Sequence, residues 1–109
     1  MLNFYRRNHS TNVHNGPFTE SEKLTVWLDG KPVAGYDHLA HEWRTDACGG
    51  LMRYNDYGNT NSKNGWEIDH KNPVANGGSD FITNLQPLQW ENNRHKGDTV
   101  GQWYCKVRG

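Results

Sequence analysis

Two short stretches of this chain hold side chains able to work on a phosphodiester. "WEIDH" (66–70) sets a carboxylate, Asp69, beside an imidazole, His70. Some twenty residues on, "WENNRHKGD" (90–98) carries Asn92, Asn93 and His95 between an aromatic residue and basic ones. Metal-assisted hydrolysis needs little more than such a set. It needs oxygen ligands for a hard cation such as Mg²⁺, which keeps several of its waters. It needs a base near neutral pKa to take a proton from water, and a group that fixes the orientation of that base. Adjacent strand residues point to opposite faces. Where a strand ends or twists, both can still reach one cleft, one toward a cation and the other toward water.

The elements that must position these groups follow from local pattern. In "GWEIDH", Trp66 and Ile68 alternate with Glu67 and Asp69 after an Asn64-Gly65 turn, which predicts a strand with one buried face. "KNPVANGGSDFIT" is a long loop with Pro73 and Gly77-Gly78. "NLQPLQ" predicts a second strand, marked by Pro87 as an edge or terminal one. "WENNRHK" has no breaker before Gly97, which can stop a helix. The order over 66–97 is strand, long loop, strand, helix. Upstream, Thr19 and Glu22 form a capping-box pattern for a short helix ending at Gly30, with Leu24 and Leu28 on one face. A second short helix is expected over about 37–43 and short strands around 48–53. Residues 1–17 are polar and read as a loose N-terminal arm, with a single domain over 18–109 and its motif core at 66–98. The fold class expected is α+β.

"WEIDHKNPVANGGSDFITNLQPLQWENNRHKGD" resembles the HNH endonuclease motif, also called the ββα-metal or His-Me finger. Asp69, His70, Pro73, Gly77, Gly78, Asn84, Leu85, Asn93 and Lys96 fit its pattern. The resemblance implies that His70 is the general base, that Asp69 is a metal ligand, and that Asn84 ties the loop to the strand. It implies a second ligand on the helix, and DNA hydrolysis that leaves a 5′-phosphate and a 3′-hydroxyl. The zinc-bearing branch of the family has paired cysteines before the motif and at the helix start. Here Cys48 lacks a partner at that spacing and the helix-side positions are Gln89 and Asn92, so no structural zinc is expected. Trp66, Trp90 and Tyr57 are expected to fill the gap by packing.

The family places its helix ligand three residues before the lysine, which selects Asn93 over His95 and Asn92. Helix rotation agrees: a residue two positions on is turned by about 200°. Asp plus Asn is a hard donor set that favours Mg²⁺ or Mn²⁺. Arg94, Lys96, Lys71, Arg44 and Arg53 are candidates for phosphate contacts. His9, His14, His38 and His41 read as surface or structural residues.

Composition limits what these groups can serve. Leu, Ile, Val and Phe make up about a sixth of the 109 residues, yet the formal net charge is zero and five tryptophans are present. That combination describes an ordered, core-poor domain rather than a disordered chain. A neutral chain does not hold nucleic acid by bulk charge, so local charge, a metal or a partner protein must help, and double-strand cleavage would call on a partner protein or a second copy. Cys48 and Cys105 are expected as reduced, partly buried thiols. Without a membrane-length apolar run or an apolar signal centre, the expected location is the cytoplasm, that of the host cell if the chain is phage-encoded. The competing classes are a non-catalytic DNA- or protein-binding module on this scaffold, and a nuclease selective for branched DNA or RNA.

Overall fold

The computed structural model describes residues 7–109. At its centre, strands β4 (Trp66–His70) and β5 (Leu85–Gln89) pair antiparallel, with Trp66 opposite Gln89 and His70 opposite Leu85. Helix α2 (Trp90–Lys96) follows β5 directly and packs on both strands. Its first turn is capped by the Gln89 side chain, which accepts from the Glu91 and Asn92 N–H groups. Gly97 ends it at positive φ (54°).

Alternation in 66–70 implied one buried face, but all five residues are buried. Both faces of the hairpin are covered. Trp66 and Ile68 pack with Phe18, Val26, Trp27, Met52 and Leu85. Glu67 and Asp69 instead meet the side chains of α2. Pro87 sits mid-strand opposite Ile68. The Ile68 N–H turns away from β5 and donates to Ser10 Oγ (2.8 Å). That pair therefore lacks ladder hydrogen bonds, and the missing proline N–H leaves no acceptor unmet.

The capping box forms as its spacing predicts. Thr19 Oγ1 accepts from the Glu22 N–H, and the Thr19 N–H donates to Glu22. Helix α1 (Glu20–Trp27) buries Val26 and Trp27 against the hairpin, whereas Leu24 and Leu28 stay exposed. Trp27 and Trp66 lie 5.0 Å apart at their ring centroids, with Tyr54 and Tyr57 packed around them. Large rings thus supply the core that the low aliphatic content withholds.

A second antiparallel sheet orders β1 (Lys31–Pro32), β2 (Trp43–Thr45) and β3 (Leu51–Arg53). The helix expected over 37–43 shrinks to one 3-10 turn, Asp37–Leu39, because Trp43 is taken into β2 opposite Arg53. Of the strand residues expected around 48–53, those at 48–50 belong instead to a turn around the Asp46 carboxylate, which accepts from the Cys48 and Gly50 N–H groups.

Two expectations are corrected. Cys48 and Cys105 are not free thiols but form a disulfide across 57 residues of chain. The C-terminal segment returns over α2, where Asn92 Oδ1 accepts from the Lys106 and Val107 N–H groups, and this brings Cys105 to the 46–50 turn. The N-terminal arm is tied down from residue 7 onward: Ser10 bonds Ile68 and Tyr57, and Val13 bonds Asp80. Residues 1–6 of that arm lie outside the described residues. No helix among the described residues is long and apolar enough to cross a membrane.

Candidate active site

Strand β4 ends at His70, and its last two side chains leave on opposite faces. Asp69 turns toward α2. Its Oδ2 accepts from Gln86 Nε2 (2.9 Å) and its Oδ1 lies 3.2 Å from Lys96 Nζ. Burial holds the Asp69 carboxyl above the usual carboxylate range, against the opposing pull of the Gln86 amide, Lys96 and His70. His70 turns to the aromatic side, 6.1 Å from the Phe18 ring. Its Nε2 lies 2.7 Å from Asp80 Oδ1.

The long loop is laced back on itself by Asn84. Its Oδ1 accepts from the Asn72 N–H (2.8 Å), and its Nδ2 donates to the carbonyls of Asn72 and Ser79. The Asn84 carbonyl also accepts from the Lys71 N–H, continuing the ladder one step past His70. One side chain thus ties the start of the loop to the residue just before Asp80. Gly78 lies so close to the Asn72 carbonyl that any Cβ there would collide with it.

On α2, Asn93 and Lys96 are buried toward β4, whereas His95 is exposed on the opposite side. Asn93 Nδ2 donates to Glu67 Oε1 (2.9 Å), and Arg94 pairs with Glu67 Oε2 at 3.0 Å. Asn92 is buried but faces elsewhere: its Nδ2 donates to Asp46 and to the Val107 carbonyl. Gln89 and Asn92, where the zinc branch has cysteines, thus belong to a hydrogen-bonded network around Asp46, which also accepts from the Gln89 N–H. Trp66 packs instead in the aromatic core.

Asp69, His70 and Asn93 line one cleft of about 460 Å³, bounded by the loop at Pro73–Ala75 and by arm residues 7–11. A neighbouring cleft runs past Glu67 and Arg94 along the same arm. Sequence alone gives the arm no role in the site and does not mark Asp80. The only signal for Asp80 was an acid just beyond the Gly77-Gly78 turn, and its ten-residue separation from His70 closes in space through the loop. His9, read as a surface residue, is exposed and lines the first cleft.

Most of the basic candidates are engaged within the fold. Arg44 donates to the Ala40, Leu28 and Gly30 carbonyls. Arg53 pairs with Glu42 and lies over Trp43. Lys96 is buried against Asp69 and the His70 carbonyl, so its ammonium does not meet solvent as a phosphate contact requires. Lys71 is exposed beside the cleft loop, and Arg94 is exposed while paired with Glu67.

Among the described residues no three His, Cys, Asp or Glu side chains converge, so a site closed by protein ligands is not built here. The donor set fits a hard cation that keeps its waters. Each Asp69 oxygen accepts one hydrogen bond and retains a second lone pair. Asn93 Oδ1 accepts none among the described residues and belongs to the same cleft. Lys96 already offsets the Asp69 charge, which weakens the site for a cation alone. No family model, curated protein or solved structure matches the chain.

Proposed function

We propose that this chain is a metal-dependent endonuclease of the HNH type, hydrolysing DNA phosphodiester bonds. The observation that carries the reading is the common cleft of Asp69, His70 and Asn93. The sequence pattern named those residues independently of their position in space. His70 takes a proton from the attacking water as a new P–O bond forms and the bond to the 3′-oxygen breaks. That cleavage leaves a 5′-phosphate and a 3′-hydroxyl. Asp69 and Asn93 would hold Mg²⁺ or Mn²⁺, which when bound withdraws charge from the phosphate and stabilises the departing oxygen. Because Lys96 offsets the Asp69 charge, a cation held there would depend on the charge of the bound phosphate. Arg94 and Lys71 are the basic residues best placed for the flanking strand. Incubation of supercoiled plasmid with Mg²⁺, Mn²⁺ or EDTA tests the reading. Nicking or linearisation with either ion and none in EDTA is expected; intact plasmid under all three conditions overturns it.

A second reading draws on a different observation. Arg44, Arg53 and Lys96 are engaged internally and the formal net charge is zero, which suits a non-catalytic DNA- or protein-binding module, or a nuclease that a partner protein or second copy delivers to branched DNA or RNA. Intact plasmid combined with retained DNA binding favours the module.

A further inference from the structure

We propose that Asp80 is the positioning residue for His70, and that the N-terminal arm sets which imidazole nitrogen faces the cleft. The chemistry rests on the nuclease reading; the geometry does not. His70 Nε2 lies 2.7 Å from Asp80 Oδ1. A carboxylate accepts and cannot donate, so the neutral imidazole carries its proton on Nε2. Nδ1 is then left with a lone pair. Among the described residues it has no hydrogen-bond partner, and it is not sealed from solvent. It is therefore open, on a residue that lines the cleft. A base needs this arrangement: one nitrogen fixed, the other free to accept a proton.

Asp80 is itself held. The Val13 N–H donates across both of its oxygens, at 3.2 and 3.1 Å. That donor comes from the arm, which Ser10 fastens to the edge of β4 through the Ile68 N–H and to Tyr57 through its hydroxyl. The loop end that bears Asp80 is fixed from the other side by Asn84 bonding the Ser79 carbonyl. The carboxylate thus meets the arm and β4 directly, and Asn84 holds the loop that carries it.

The arrangement separates two variants. Asp80 Oδ1 lies within reach of both His70 Nε2 (2.7 Å) and the Val13 N–H (3.2 Å), so an amide oxygen in its place in Asp80→Asn accepts from both. The ring proton stays on Nε2 and Nδ1 stays open, with a neutral acceptor in place of a charged one. Asp80→Ala leaves Nε2 without an acceptor, so nothing fixes the proton on that nitrogen or the ring in its place.

The test combines ¹⁵N NMR of the His70 ring with plasmid cleavage in Mn²⁺, for wild type, Asp80→Asn and Asp80→Ala. The expected ring signals are those of the Nε2–H form in wild type and Asp80→Asn, and of a mixture of the two tautomers in Asp80→Ala. Cleavage is expected to fall about 10–100-fold in Asp80→Ala and by less in Asp80→Asn. Asp80→Ala with the wild-type ring signals, or cutting at the wild-type rate, overturns the proposal. If wild type cuts nothing, the nuclease reading fails, while the ring signals still decide the clasp. Should Asp80→Ala not fold, Val13→Pro provides the second variant. It removes the N–H that orients Asp80, and an unchanged cleavage rate there also overturns the proposal.

Discussion

The Lys96 ammonium lies 3.2 Å from Asp69 Oδ1 and 3.1 Å from the His70 carbonyl, with both side chains buried. One cation from α2 thus joins the last two residues of β4. Removing one partner of a buried pair leaves an uncompensated charge, which costs about 3–5 kcal/mol. Lys96→Ala should therefore lower the urea midpoint sharply. A phosphate-contact role predicts the reverse pattern, with unchanged stability and weaker DNA binding. Urea unfolding beside a DNA-binding titration separates the two.

Asp69 gives the site a pH dependence of definite sign. Its carboxyl is held above the usual range by burial, so the folded chain binds that proton more tightly than the unfolded chain does. The resulting contribution to stability is present below the unfolded value of about 3.9 and is lost as pH rises through the folded value. A cation that binds the ionised form opposes this loss. Mn²⁺ should raise the melting temperature little near about pH 4 and increasingly toward about pH 7. Asp69→Asn should abolish the rise. A Mn²⁺ effect of equal size across that range contradicts the ligand role.

Asn92 binds the turn at Asp46 and the C-terminal segment with a single amide: it donates to Asp46 and the Val107 carbonyl, and accepts from Lys106 and Val107. Asn92→Ala leaves these groups unmet and should cost about 2–4 kcal/mol. The disulfide still tethers Cys105, so the segment loosens rather than departs. Hydrogen exchange should therefore quicken at the Lys106 and Val107 amides. Unchanged exchange there would show that the network does not hold the segment.

Sequence pattern located the elements whose signals are local: the capping box of α1, the alternation of β4, and the stop of α2 at Gly97. It missed what depends on distant chain. Glu67 and Asp69 look like the solvent face of a strand, and only the arrival of α2 buries them. Arg44 looks like a free surface charge, yet the Leu28 and Gly30 carbonyls of the turn after α1 and the Ala40 carbonyl take its guanidinium. Cys48 and Cys105 meet because Asn92 captures the returning backbone, and no spacing rule encodes that. Asp80 carries no local signal because its partner is brought close by a loop whose path Asn84 decides.

The central claim is that His70 performs the chemistry, and the rate of plasmid cleavage by His70→Ala in saturating Mn²⁺ tests it most directly. Loss of a positioned base predicts a fall of about 10²–10⁴-fold, with the melting temperature and DNA affinity little changed. A variant that cuts at the wild-type rate contradicts the account.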